Sequence, residues 1–256
     1  MEERELDVRG TRVHLQVGGD GPPLLFLHGA GGSAWLPGLE RLAERYRVYA
    51  PTHPGFGQSD NRDDWDSIDD YVYHYLDLLD VLELDRVHLL GASLGGWLAA
   101  ELAVGHSHRL RSLVLLNAAG LWVDEAPMTD IFIISPEEMN RLAWYDPSKA
   151  PPAPPSTPES MVAQARARTT VARLAWNPYF HNPKLPGRLS RISVPTLIVW
   201  GANDGVIPLE HGKRYQELIP GSELVVIPEC GHIVLREQPE AGAQAIVEFL
   251  ERRASS

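Results

Sequence analysis

The chain is 256 residues long, 44 % hydrophobic, and carries a formal charge of −11 with an isoelectric point near 5.3. That length can bury one large core, and the acidic balance argues against nucleic acid or an anionic membrane surface as partner, since both require a basic patch. A single cysteine, Cys230, excludes an internal disulfide, the charged start MEERELDV lacks the apolar centre of a secretory signal, and no apolar run is long enough to span a bilayer, so a cytoplasmic protein acting on a small molecule is expected.

In chain order, ELDVRGTRVHLQVGGDGPP alternates apolar and polar residues around Gly10 and predicts an edge hairpin, after which LLFLHG reads as a buried strand. RVYAPTH predicts the next strand, IDDYVYHYLDLLDVLEL an amphipathic helix, RVHLLGA a strand, GGWLAAELAVG a helix and RLRSLVLLNAAG a strand again. From Leu121 to about Leu189 this rhythm breaks around the proline-rich DPSKAPPAPPSTPES, read as an extended loop between a segment ending EEMNRLAWY and a helical MVAQARARTTVARLAW. Strand VPTLIVWG, a helix near LEHGKRYQELI, strand SELVVIP and the closing helix PEAGAQAIVEFLERR follow, and there is no internal repeat. The alternation predicts an α/β fold with a mostly parallel, eight-stranded sheet and helices on both faces. The core spans 1–120 and 190–256, and 121–189 form an inserted helical lid.

Within LLGASLGGW, Gly91, Ser93 and Gly95 spell G-x-S-x-G at a strand-to-helix junction. Such a serine either caps the helix, with glycines for close packing, or sits exposed in strained backbone as a nucleophile. A hydroxyl nucleophile needs a base, and the base needs a third group to orient it. Asp204 in ANDGVIP and His232 in CGHIVLREQPE each follow a predicted strand, on the edge where parallel sheets open their ligand crevice. Separately, Asp204 could be turn chemistry and His232 a cap of the last helix.

The motifs FLHGAGGS, PTHPGFGQSD, GASLGG, PTLIVWGANDGVIP and IPECGHIVLREQP, in this order and covering nearly the whole chain, resemble those of lid-bearing, serine-nucleophile α/β-hydrolases close to bacterial carboxylesterases and meta-cleavage hydrolases. That resemblance implies Ser93 as nucleophile, His232 as general acid/base and Asp204 as its orienting carboxylate. It also implies an oxyanion hole from the backbone N–H groups of Leu94 and Ala30. GAGG lacks the lysine of a phosphate loop. His28 is expected to hold its loop, Trp97 to be packed, and Glu101 and Asp80 to lie on solvated helix faces. Cys230 lacks an assigned base, and His14, His53, His106, His108 and His211 show no metal-ligand spacing, so neither metal nor cofactor is expected.

A serine at this elbow argues against epoxide hydrolases and haloalkane dehalogenases, whose displacement chemistry needs an aspartate. Carbon–carbon bond hydrolases typically carry asparagine before the serine and tryptophan after the histidine, where this chain has Ala92 and Ile233. Among the apolar lid residues Ile131, Phe132, Ile134, Met139, Leu142, Trp144 and Trp176, those expected to contact substrate are Phe132, Met139, Trp144 and Trp176. The reading is a serine esterase acting on a small-molecule ester. The alternatives are a carbon–carbon hydrolase, with Arg141, Arg166, Arg168 or Arg173 meeting a substrate carboxylate, a lactonase, and a ligand sensor on the same fold.

Overall fold

The computed structural model describes residues 1–152 and 156–254. Strands β1 (Glu2–Val8), β2 (Thr11–Gly18), β3 (Pro23–Leu27), β4 (Arg47–Pro51), β5 (Val87–Ala92), β6 (Leu110–Leu116), β7 (Thr196–Gly201) and β8 (Glu223–Ile227) form one sheet of order β1-β2-β4-β3-β5-β6-β7-β8. The expected hairpin, β1 and β2, is antiparallel at the edge; β2 also pairs antiparallel with β4, and every pair from β4 to β8 is parallel.

The central strands are apolar on both faces, and successive side chains feed two cores. Leu25 and Leu27 of β3 join the core under α2 (Ile68–Val81), α3 (Leu94–His106) and α6 (Leu209–Leu218). Leu24 and Phe26 join the core under α1 (Pro37–Ala43), α7 (Val234–Glu237) and α8 (Pro239–Ala254). The start of α2 is set by a capping box, in which Ser67 Oγ accepts from Asp70 N while Asp70 Oδ2 accepts from Ser67 N at 3.0 Å.

Between β6 and β7 lie α4 (Pro136–Ala143) and α5 (Pro158–Ala175). The two ends of this excursion meet where Gly120 N donates to Phe180 O at 2.8 Å and Asn182 N donates to Gly120 O at 3.1 Å. The proline-rich stretch is not uniformly extended. Pro147–Lys149 form a short 3-10 turn, and Pro158 opens α5 behind the Thr157 cap, because proline's missing N–H costs nothing in a first helical turn. Residues 153–155 of that stretch lie outside the described residues. Glu101 is also not solvated: it is 8 % exposed and accepts from Trp97 Nε1 at 3.1 Å and Asn182 Nδ2 at 2.7 Å, tying α3 to the end of the insertion. Trp97 is packed as expected, and Asp80 is an exposed ion-pair partner of Arg109.

Candidate active site

Ser93 stands between β5 and α3 with φ 53 and ψ −116, and its side chain makes no capping hydrogen bond. The helix-cap reading is thereby excluded, and what remains is a serine held in backbone that L-residues avoid. The turn is tight enough that a Cβ on Gly95 would fall 2.2 Å from Leu27 O, so only glycine lets α3 start against β3. The Ser93 carbonyl is fixed by Gly96 N at 2.9 Å and Ala119 N at 3.0 Å, and its hydroxyl has no hydrogen-bond partner among the described residues.

Asp204 follows β7 and His232 follows β8, and the structure brings them together: His232 Nδ1 donates to Asp204 Oδ2 at 2.7 Å. The Asp204 carboxylate is fully buried and accepts three further hydrogen bonds, from Val206 N at 2.8 Å and Ile207 N at 2.9 Å on Oδ1 and from Asn117 Nδ2 at 2.5 Å on Oδ2. Such a set holds a carboxylate immobile. With Nδ1 committed as donor, His232 keeps Nε2 as its free basic nitrogen.

Ser93, His232, Ala30, Met139 and Trp144 all line one cavity of about 510 Å³. The Ala30 and Leu94 N–H groups have no acceptor among the described residues, the condition for receiving an oxyanion. Two of the four expected substrate contacts lie elsewhere. Trp176 is 58 % exposed, and Phe132 packs its ring on Trp176 at 5.1 Å and on Phe180 at 6.1 Å, so neither borders the cavity. The insertion must bury apolar surface of its own, and Phe132 packs against Tyr179 and Phe180 within it, while Phe180 and Tyr179 line the cavity instead.

Beneath the loop carrying Ala30 runs a buried polar strut. His53 N donates to His28 Nε2 at 2.9 Å, so His28 is protonated on Nδ1 and donates from it to Gly29 O at 2.7 Å. His53 Nε2 donates to His28 O at 2.7 Å and its Nδ1 accepts from the Tyr75 hydroxyl. Holding the Gly29 carbonyl fixes the Gly29–Ala30 peptide plane, in which the Ala30 N–H points the opposite way. Burial keeps both rings neutral, lowering His28 to about 4 and His53 well below its ordinary value. His28 thus holds its loop, as expected, and His53 and Tyr75 complete the device without a local sequence signal.

A second network joins the insertion to the site. Leu142 O accepts from Gly205 N at 3.0 Å, and Ala143 O accepts from His232 N at 2.7 Å. Glu237, 4 % exposed, accepts from Gly231 N at 2.7 Å, Asp146 N at 2.8 Å and Tyr145 N at 3.2 Å. Cys230 is no competitor for nucleophile: burial first, then the charges of Glu237 and Asp204, push its thiol up to about 12. No group of three histidine, cysteine or carboxylate side chains among the described residues is placed to hold a metal ion, and no described helix is long and apolar enough to cross a membrane.

Over residues 24–245 the sequence matches the profile of the alpha/beta hydrolase family. The chain is 30 % identical to a 2-hydroxy-6-oxo-6-(2'-aminophenyl)hexa-2,4-dienoic acid hydrolase of Metapseudomonas resinovorans, across 98 % of this chain and 92 % of that protein. Among solved structures it is similar to a bacterial membrane phospholipase A, with TM-score 0.85 and 25 % identity over 100 % of this chain and 87 % of that one. It is also similar to a meta-cleavage product hydrolase of Pseudomonas fluorescens, with TM-score 0.75 and 26 % identity over 97 % of each chain. With a strained serine after β5, a carboxylate after β7 and a histidine after β8 on one sheet edge, and with this match over most of its length, the chain belongs to the alpha/beta hydrolase family.

Proposed function

We propose that the chain is a serine hydrolase in which Ser93 attacks a substrate carbonyl, His232 carries the proton and Asp204 orients His232. One observation carries this reading: the strained, unpartnered Ser93 and the Asp204-bound His232 line the same cavity. His232 Nε2 takes the hydroxyl proton as the Ser93 Oγ–carbon bond forms, and the oxyanion meets the N–H groups of Ala30 and Leu94, each contributing about 3 kcal/mol of barrier. Collapse breaks the bond to the leaving group, which takes the proton from Nε2. Water then gives a proton to His232 and attacks the acyl-enzyme, releasing the acid and restoring Ser93. Residues 121–189 serve as the lid, contributing Met139 and Trp144 to the cavity wall.

For the bond broken, the relatives support carbon–carbon cleavage first: besides the dienoic acid hydrolase, a 2-hydroxymuconate semialdehyde hydrolase of Pseudomonas is 28 % identical over 96 % of this chain. Carbon leaves only when the electron pair of the broken bond passes into a conjugated carbonyl system, so the substrate class is an unsaturated keto acid whose leaving carbon is protonated by His232. Ester cleavage is the second reading, favoured by Ala92 and Ile233, which both line the cavity where carbon–carbon hydrolases typically carry asparagine and tryptophan. The similar phospholipase structure supports it too.

A substrate panel decides between them. Wild-type protein is assayed on a ring-fission dienoate and on a short-chain chromogenic ester, with Ser93→Ala as control, where a loss of order 10⁴-fold or more is expected. Faster dienoate cleavage supports the carbon–carbon reading, and faster ester cleavage replaces it with the esterase. Absence of turnover together with no labelling of Ser93 by a fluorophosphonate would sink both and leave a ligand sensor.

A further inference from the structure

The arginines of the insertion do not reach the cavity. Arg141 pairs with Glu138 at 3.5 Å, Arg166 donates to Gly57 O, and Arg168 donates to Phe132 O at 2.6 Å. Arg173 donates to Arg62 O at 2.8 Å and pairs with Asp63 at 3.3 Å. A different arginine lines it: Arg236 of α7, whose backbone N–H bonds to Ile233 O one residue beyond His232. Arg236 is the only cavity residue with a permanent charge, and no carboxylate lines the cavity among the described residues.

The surroundings of Arg236 set it apart from the other arginines. Half-buried arginines elsewhere have acceptors: Arg47 has Asp20, Arg62 has Asp64, Arg109 has Asp80, Arg166 has the Gly57 carbonyl, and Arg173 has Asp63. Arg236 is half-buried too, yet no carboxylate or carbonyl of the described residues accepts from its guanidinium. A guanidinium with no protein acceptor, on a residue that lines a mostly apolar cavity in a chain of formal charge −11, has its five donors open to an anion.

We infer that Arg236 is the specificity-determining residue of the cavity and that the substrate carries a carboxylate, which its guanidinium receives while the carbonyl to be attacked lies at Ser93. This rests on reading the cavity as the substrate site. It deepens either form of the proposed function, since a carboxylated ester and an unsaturated keto acid present the same anion.

Binding by the intact chain tests the inference without turnover. Monomethyl adipate and dimethyl adipate, which share one ester and differ in a terminal carboxylate, are titrated at pH 7.5 into the Ser93→Ala protein by calorimetry. The expected result is that the monoester binds roughly tenfold or more tightly than the diester, the scale of a charge-assisted hydrogen bond. That preference should collapse towards unity in Ser93→Ala/Arg236→Gln and return in part in Ser93→Ala/Arg236→Lys. Equal affinity for the two compounds in Ser93→Ala overturns the inference even if no arginine variant folds, and so does a preference that survives Arg236→Gln. A preserved carboxylate preference in a protein whose wild type hydrolyses neither dienoates nor esters would overturn the hydrolytic reading alone.

Discussion

Asn117 and His232 share one oxygen of Asp204: the amide of Asn117 donates to Oδ2 at 2.5 Å and His232 Nδ1 donates to it at 2.7 Å. Asn117 follows β6, so three successive strand ends meet at a single carboxylate. The second Asn117 polar atom, Oδ1, is buried and has no partner among the described residues, which leaves the bond to Asp204 as the purpose of the side chain.

Asn117→Leu removes that donor while roughly keeping the volume. It is expected to lower kcat about tenfold or more with a smaller change in KM, because Asp204 and the imidazole it aims lose their fixed orientation. Steady-state kinetics on the preferred substrate checks this; an unchanged kcat would reduce Asn117 to a space filler.

Ser93 holds a positive φ that glycine adopts freely. Ser93→Gly is therefore expected to raise the stability by about 1 kcal/mol while abolishing turnover, a direct trade of strain against activity. Thermal unfolding of wild type and variant in parallel measures it, and a lowered Tm would show that the surroundings of Ser93 relieve the strain.

The neutral His28 makes stability depend on pH. Its ring stays unprotonated down to about 4, whereas the unfolded chain takes up the proton near 6.5, so the stabilisation is complete above about pH 6.5 and declines as pH falls towards 4. The loss runs at up to about 1.4 kcal/mol per pH unit, on the order of 3 kcal/mol in all, and His74 and His88, each lowered to about 4 by burial, act in the same direction. Urea midpoints should fall between pH 6.5 and 5, where carboxylates are still ionised, and His28→Asn should flatten that slope.

Tyr75→Phe leaves His53 Nδ1 buried without its donor, at a cost of about 1–3 kcal/mol. Because the strut ends on the Gly29–Ala30 peptide, kcat should fall more than KM rises, the mark of an interaction made in the transition state. Wild-type kcat at reduced stability would separate the strut from the oxyanion loop.

What the sequence made legible was local. Period-two and period-3.6 patterning located the strands and the longer helices, and the turn residues around Ser93, Asp204 and His232 marked three strand ends. What it hid depends on partners far along the chain. Asn117 lies 87 residues from Asp204 and Glu237 lies 91 from Asp146, and no spacing rule links such pairs. Glu101 read as a solvated face because its acceptor role needs Asn182, 81 residues on. The short helices α1 and α7 fall below the length at which periodicity is informative, and Arg236 was invisible for the same reason. Phe132 and Trp176 carried the composition of a substrate wall, yet Phe132 packs within the insertion and Trp176 stands largely exposed.

The bonds from Gly205 and His232 to the insertion are made to the main-chain carbonyls of Leu142 and Ala143, and those from Tyr145 and Asp146 to Glu237 are made by main-chain N–H groups. These bonds do not depend on which side chains stand at 142–146, whereas they do depend on the length of chain from Pro136 to Asp146: one residue gained or lost there would pull on His232 itself. The constraint is transferred to the facing loop, where a Cβ on Gly231 would lie 2.4 Å from Ala143 O. In a lineage of such proteins, changes of length should be confined to the proline-rich stretch after Pro147, and new substrate preferences should arise by substitution along a main-chain path that stays the same.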